Sequence, residues 1–312
     1  MKQITIRDYL QLHRNDHQLA ACIGYFDGLH RGHQILINEA KKIGQEFNYE
    51  TALITFDPDP WTVIHNKSHV KHLTPIKEKV RIAESLGIDY LITIEFTKDL
   101  SKLSPLEFIE KILVPLNVKT LICGADYKFG YRGEGSVDDL EALGHYYFDT
   151  HVVPLDHVNE QKIGTTAITQ AILNGDVQQA NDLLGRLYSI SGFVVGGQHR
   201  GREIGFPTAN MDVVDEYVIP KQGVYAGFVE VKGTMYQSVI NIGHNPTFNT
   251  TEHLSLETYI LDFDEDIYGE VIKQSFVKRL RDELKFDSIE TLVEQMHRDV
   301  KEARLILDET NG

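Results

Sequence analysis

The sequence predicts two domains of different class in series: a doubly wound α/β domain on a parallel sheet, then an all-β domain ending in a helix. Three observations predict this. The chain has 312 residues, 42% of them hydrophobic, enough for two cores at roughly 100–200 residues per domain. Its first half alternates short apolar runs with amphipathic helical stretches, the pattern of βα units whose strands are covered on both faces. From about Leu187 helical periodicity gives way to strand-like runs separated by glycines and turns, up to Ile289. The expected division is 1–186 and 187–312.

In the first half, 20–24, 52–56, 90–94 and 120–124 read as buried strands. A helix is expected from about Gly32 through Ile35, Leu36, Ala40 and Ile43, with Gly44 placed to end it in the left-handed conformation. A second has Thr74 as N-cap, Pro75 at its first position, Val80, Ala83 and Leu86 along it, and Gly87 closing it. Ser104 and Glu107 have the spacing of a capping box, which opens a third. A helix containing Ala180, Leu183 and Leu184 precedes the division. Beyond it, 193–195, 224–231, 236–240 and 253–260 read as strands. Leu292, Met296, Val300 and Leu305 form one face of the terminal helix.

Composition narrows the function. Asp plus Glu exceed Lys plus Arg by 46 to 31, a formal charge of −15, which argues against nucleic acid as a partner because backbone phosphates demand a basic footprint. A small anionic ligand remains compatible, since a few local donors outweigh distant charge. Two cysteines, Cys22 and Cys123, make no disulfide framework and fit a reducing compartment. No apolar run reaches about 18 residues, and the first residues lack the apolar stretch of a secretory signal. The expectation is a cytoplasmic protein with neither a membrane nor a nucleic-acid partner.

The first chemical constellation is Gly24-Tyr25-Phe26-Asp27-Gly28-Leu29-His30-Arg31-Gly32-His33, where a buried strand gives way to a helix. Glycines let backbone approach a ligand, and a helix N-terminus offers free N–H groups and a positive dipole end. His30 and His33 lie one turn apart and face the same way. Two imidazoles there suit charge developing on a triphosphate. The segment carries neither the lysine-serine pair of a P-loop nor a Gly-x-Gly-x-x-Gly dinucleotide fingerprint.

This segment resembles the G-x-F-D-G-x-H-x-G-H signature of the nucleotidylyltransferase superfamily, and more narrowly the bacterial bifunctional riboflavin kinase/FMN adenylyltransferases, or FAD synthetases. Thr55-Phe56-Asp57-Pro58-Asp59-Pro60 resembles that family's T-F-x-P-x-P loop, and 124–133 its G-x-D-F-x-F-G-x-x-R-x-G loop. The resemblance implies ATP contacts from Gly24, Phe26, Asp27, Gly28, His30, Gly32, His33, Thr165 and Thr166. It implies flavin contacts from Phe56, Pro58, Asp126, Tyr127, Phe129 and Arg132. On physical grounds Phe56, Tyr127 and Phe129 could stack on planar rings, and Asp126 could hold a metal or a hydroxyl. One departure stands out. Where the family carries S-S-T-x-I-R, this chain reads Gly164-Thr165-Thr166-Ala167-Ile168-Thr169, with Thr169 in place of arginine. Losing a charge-assisted phosphate contact costs about 1.5–3 kcal/mol. Adenylyl transfer would slow about 10- to 150-fold unless Lys162, Arg132 or Arg31 compensates.

The second constellation, Gly201-Arg202-Glu203-Ile204-Gly205-Phe206-Pro207-Thr208-Ala209-Asn210, opens the β domain. Its glycines suit a loop folding over phosphates. Thr208 and Asn210 offer neutral oxygens of the kind Mg²⁺ takes together with water and substrate phosphates. G-x-P-T-A-N resembles the metal and ATP signature of riboflavin kinases, which implies ATP contacts from Gly201, Gly205, Pro207, Thr208 and Asn210. Agreeing segments are 223–227, 241–248, 257–259 (with Tyr259 where histidine is usual), 266–270, Arg279-Leu280-Arg281 and 285–288. Strand alternation over 253–260 turns Ser255, Glu257 and Tyr259 away from Leu254, Leu256 and Ile260, so Glu257 could accept a proton from a substrate hydroxyl. The resemblance implies flavin contacts from Glu257, Arg279, Arg281 and Phe286.

The resemblance thus implies a nucleotidylyltransferase-like (Rossmann-like) domain and a small antiparallel β-barrel with a C-terminal helix. It implies two consecutive reactions with ATP as co-substrate and Mg²⁺ as the divalent cation. Riboflavin would become FMN with Glu257 as base, and FMN would become FAD with His30 and His33 stabilising the transition state. Two alternatives stay open on sequence: a monofunctional riboflavin kinase with a non-catalytic N-terminal domain, and a non-catalytic flavin-binding regulator.

Overall fold

A computed structural model describes residues 1–154, 157–158, 161–196, 201, 204–244 and 254–310. The chain separates into two compact units, Met1–Thr165 and Thr166–Gly312.

The first unit is built on six parallel strands: β1 (Lys2–Ile6), β2 (Leu19–Ile23), β3 (Glu50–Asp57), β4 (Tyr90–Glu95), β5 (Val118–Gly124) and β6 (Asp149–Val153), in the order β1-β4-β3-β2-β5-β6. Every residue of β2 is buried, and strand alternation divides its side chains between two cores. Ala21 and Ile23 pack with Ile54, Ile92, Leu121, Phe108 and Ile109. Ala20 and Cys22 pack with Leu53, Leu91, Ile122 and the inner face of helix α1 (Arg31–Phe47) at Leu36, Ile37 and Ala40. The sheet has two strands, β1 and β6, that the apolar-run criterion did not find. Both are edge strands whose residues are largely exposed or half-buried, so no continuous apolar run marks them. From β2 the chain crosses to β3 on one side, while β5 lies on the other. The carboxyl ends of β2 and β5 therefore flank a topological switch point, where α/β sheets bind ligands.

Two helix ends differ from the sequence reading. Helix α1 runs past Gly44 to Phe47 and ends on Asn48 in the left-handed conformation. Gly44 is there for packing: a β-carbon would come within 2.9 Å of the Tyr49 carbonyl oxygen. After α2 (Pro60–His65), helix α3 (Ile76–Ser85) has Pro75 at its N-cap and no side-chain cap. The Thr74 hydroxyl instead accepts from the Gly28 amide at 2.8 Å. Gly87 is left-handed after α3, and the Ser104–Glu107 capping box opens α4 (Pro105–Phe108), both as expected. Helix α5 (Val137–Gly144) precedes β6, and a short antiparallel pair, β7 (His157–Val158) and β8 (Gln161–Lys162), follows it.

The second unit begins with α6 (Thr165–Asn174, its first residue counted with the first unit) and α7 (Val177–Leu184), which precede the 186–187 division expected from the sequence. Its strands are β9 (Tyr188–Val195), β10 (Thr208–Asp212), β11 (Gly223–Val231), β12 (Thr234–His244), β13 (Leu254–Ile260) and β14 (Val271–Arg281). They close into an antiparallel barrel in the order β10-β13-β12-β11-β14-β9, with β9 and β10 paired. Thr208 and Asn210 sit on β10, a strand that the sequence reading did not list. The terminal helix α8 (Ile289–Thr310) buries Asp299, Ala303 and Leu307, whereas Leu305, expected on its packing face, is 62% exposed. The buried stripe continues through Ala303 and Leu307 at helical spacing, which leaves Leu305 on the far side.

Two candidate active sites

The first site forms where β2 ends. The Gly24 amide still bonds the Ile54 carbonyl on β3, at 3.1 Å. The backbone then turns left-handed at Phe26 (φ 55°), Gly28 (85°) and Leu29 (43°) before α1 starts. Left-handed non-glycine residues are costly and persist only where their surroundings hold them. Here Phe26 and Leu29 are buried in the α1-side core. Asp27 is 6% exposed, and its carboxylate accepts from the Leu73 amide at 3.1 Å and the Thr74 amide at 2.9 Å. Asp27 is thus engaged inside the protein, tying the loop to the segment before α3.

His30 is the N-cap of α1, and its Nδ1 accepts weakly from the His33 amide at 3.4 Å. The two imidazoles stack with centroids 3.6 Å apart, and Phe26 meets His33 edge-on at 5.0 Å. Burial foremost, then the neighbouring His30 and Lys79, holds His33 well below the usual histidine range, so this ring is neutral at pH 7. Its Nδ1 is buried with no hydrogen-bond partner among the described residues. Thr165 joins the same constellation, its hydroxyl donating to the Asp27 carbonyl at 3.3 Å. Gly32 packs against the His30 ring, where a β-carbon would lie 3.3 Å away.

The expected flavin residues divide by burial. Phe56 and Phe129 are in the core opposite α1, with Tyr127 packed on it and its ring parallel to Phe129 at 5.9 Å. Pro58, Asp126 and Arg132 are exposed, with the Arg132 guanidinium 5.1 Å from the Tyr131 ring centre. Of the cations weighed against the absent arginine, Arg31 and Arg132 are exposed, and the Lys162 side chain lies outside the described set. Thr166 and Thr169 belong to α6 in the second unit. Sequence reasoning missed Lys79, which is buried under the loop. Its signal was its place one turn before Ile82 and Ala83, on the buried face of α3.

The second site is a cavity of about 330 Å³ in the barrel unit. Gly201, Thr208, Glu257, Tyr259, Arg281 and Phe286 line it, together with Leu292, Met296 and Val300 of α8. Register explains the meeting: Asn210 pairs with Glu257 and Thr208 with Tyr259 across β10 and β13. The loop before β10 closes through bonds from the Phe206 amide (2.8 Å) and the Ile204 amide (3.3 Å) to the Gly201 carbonyl. A β-carbon at position 201 would overlap the Phe206 carbonyl oxygen. Thr208 also borders a second cavity of about 270 Å³ with Pro207, Asp264 and Tyr268. Gly205 is left-handed, at φ 84°.

Glu257 is half-buried, and burial first, then the charge of Glu283, pushes its carboxyl above the usual range. Arg281 is held by Asp299, with Nε to Oδ1 at 2.9 Å and Nη2 to Oδ2 at 2.6 Å. Arg279 is not among the lining residues. Its Nη2 bonds the Gln222 carbonyl and Asp282, both at 2.6 Å. Arg202, Glu203, 245–248 and His253, which carried part of the expectation, lie outside the described residues. Sequence reasoning missed Glu283 and Asp299. Asp299 left a signal, because its spacing from Met296 and Ala303 places an acid on the apolar stripe of α8.

Comparison with known proteins covers both units. The family model described as FAD synthetase matches residues 12–167, and the one described as riboflavin kinase matches residues 184–307. A bifunctional riboflavin kinase/FMN adenylyltransferase of Listeria monocytogenes is 41% identical over 283 residues, 90% of each chain. Its counterpart in Bacillus subtilis is 40% identical over 288 residues, again 90% of each. That of Escherichia coli K12 is 36% identical over 287 residues, also 90% of each. A crystal structure from Streptococcus pneumoniae, named as a macrolide-efflux protein, superposes with a TM-score of 0.91 at 32% identity, covering 97% of this chain and 99% of that one. Among the described residues of this chain, no helix is long and apolar enough to cross a membrane.

Proposed function

The chain belongs to the bifunctional riboflavin kinase/FMN adenylyltransferase family, and from that premise we propose which of its residues carry the two activities. It phosphorylates riboflavin to FMN with ATP and transfers adenylate from ATP to FMN, giving FAD and pyrophosphate. The monofunctional reading is not favoured, since both enzymatic family models are matched. The kinase belongs to the barrel domain, 187–312, and the adenylyltransferase to the α/β domain, 1–186.

In the barrel, Glu257 is the base. It accepts the proton of the riboflavin 5′-hydroxyl as that oxygen attacks the γ-phosphate of MgATP, with ADP leaving. The observation that supports this most is the meeting of Glu257 and Thr208 in one cavity, set by the register of β10 with β13. Thr208 and Asn210, two apart on one strand and so on one face, would hold the Mg²⁺ of MgATP. A hydroxyl and an amide oxygen are hard, uncharged ligands that leave the remaining positions to phosphates and water. The apolar wall of Leu292, Met296, Val300 and Phe286 suits an isoalloxazine ring. Arg281, fixed by Asp299, and Gly201 complete the wall. Gly205 shapes the loop before Pro207, and Arg279 braces β14 from outside the cavity.

In the α/β domain, FMN phosphate attacks the α-phosphate of ATP in line, and pyrophosphate leaves. The N–H groups at the N-terminus of α1, with those of the 24–33 loop not already bonded within the protein, receive the phosphates. His30 and neutral His33 donate to the oxygens on which charge develops, and the unmet Nδ1 of His33 is one place for such a bond. Asp27 and Thr165 hold the loop. Phe56, Pro58, Asp126, Tyr127, Phe129 and Arg132, at the ends of β3 and β5, form the flavin side. The buried free cysteines Cys22 and Cys123 suit a cytoplasmic setting.

Two variants test the assignment. Glu257→Gln abolishes FMN formation and leaves adenylylation of supplied FMN intact, and His30→Ala does the reverse. If either variant stopped both reactions equally, two separate sites would be the wrong description.

A further inference from the structure

Lys79 is 2% exposed, and a buried ammonium needs partners to offset its lost hydration. Its Nζ donates to the Tyr25 carbonyl at 2.6 Å and to the Thr55 hydroxyl at 3.1 Å, and lies 4.3 Å from the centre of the Tyr25 ring. The Thr55 hydroxyl in turn donates to the same Tyr25 carbonyl at 2.8 Å. The carbonyl that precedes the left-handed run at Phe26, Gly28 and Leu29 is therefore held from two sides, at the ends of β2 and β3. The groups facing the ammonium are Asp27 of the loop, Asp57 of β3, Asp59 beyond it, His33 of α1 and the Tyr25 ring. Asp27 is the informative one, because it places a buried carboxylate in the very loop assigned to receive a triphosphate.

We propose that Lys79 is a positioning residue of the adenylyl-transfer site. Its ammonium holds the 24–29 loop in its bent shape and offsets the charge of Asp27, so that the loop can receive polyphosphate. The inference rests on assigning the 24–33 loop to ATP. A Tyr25 carbonyl locked inward points the Phe26 N–H of the same trans peptide plane the other way, and a local cation lets an acidic loop bind an anion. The role requires the charged form. Burial lowers Lys79 to about 8, with the three aspartates opposing, so the ammonium is lost as pH rises through that value.

The test compares wild type, Lys79→Met and Lys79→Arg for FAD formation from supplied FMN, with riboflavin phosphorylation in the same chains as a control. Lys79→Met lowers kcat for FAD formation about 100-fold with the kinase rate unchanged. Wild-type kcat falls on the alkaline side near pH 8. Lys79→Arg remains active, and that alkaline fall disappears because arginine stays protonated. Retention of kcat within about threefold in the Met variant, loss of activity in the Arg variant, or an alkaline fall unmoved by arginine would each overturn the proposal. His30→Ala, assayed alongside, separates the premises: full FAD formation there removes the site assignment itself.

Discussion

The guanidinium of Arg281 and the carboxylate of Asp299 meet in a bidentate ion pair at 2.6–3.1 Å, which fastens α8 to β14 at the wall of the Glu257 cavity. Gln295 adds a bond to Asp299 at 2.9 Å. Both charged side chains are largely buried, so the pair shapes the cavity wall while adding nothing to the net charge.

Breaking it should be felt in stability and in the kinase together. Asp299→Ala leaves a buried guanidinium uncompensated, a cost of about 3–5 kcal/mol. Urea unfolding of the barrel unit should move by that amount, and the KM for riboflavin should rise. FAD formation from supplied FMN should stay as in wild type. A variant with unchanged stability and unchanged KM would mean that the pair is ornamental.

The proximity of Glu283 to Glu257 predicts a pH signature. Glu257 is raised above the usual carboxylate range, by burial and then by Glu283. As the proposed base it works deprotonated, so FMN formation should fall as pH drops through a value above that of an ordinary glutamate. Glu283→Gln removes the like charge and moves this acid limb to lower pH. A pH–rate profile of riboflavin phosphorylation decides it; coincident limbs in the two proteins would refute the coupling.

Thr74 carries a prediction for the other unit. Its hydroxyl takes the Gly28 amide at 2.8 Å and reaches the Asp27 carboxylate at 3.3 Å. Thr74→Val withdraws both bonds from a buried place, at a cost of about 1–3 kcal/mol. FAD formation should slow and the melting temperature of this unit should fall, with riboflavin phosphorylation unaffected. Equal loss of both activities would point to general unfolding instead.

Much of this architecture was legible in the sequence. The buried strands declared themselves because both of their faces are covered, which writes a continuous apolar run. The edge strands β1 and β6 did not, since half-exposed residues leave no such run. β10 was hidden because Pro-Thr-Ala-Asn has turn composition, and only pairing with β13 and β9 makes it a strand. The histidine pair was singled out from its spacing at a strand-to-helix turn, and Glu257 from strand alternation together with the family resemblance. Lys79, Glu283 and Asp299 were not, because their roles come from partners far away in sequence: Tyr25 and Thr55, Glu257, and Arg281. Thr74 shows the same limit: Pro75 takes the N-cap place of α3, and the Thr74 hydroxyl is drawn to Gly28 instead.

The most direct test of the whole account is a time course of the purified chain with riboflavin, excess ATP and Mg²⁺, with the flavins separated at each point. The account predicts that riboflavin declines, FMN rises first, and FAD follows at FMN's expense, with one ADP released per FMN and one pyrophosphate per FAD. Absence of FMN would contradict the kinase assignment, and FMN accumulating without FAD would contradict the adenylyltransferase.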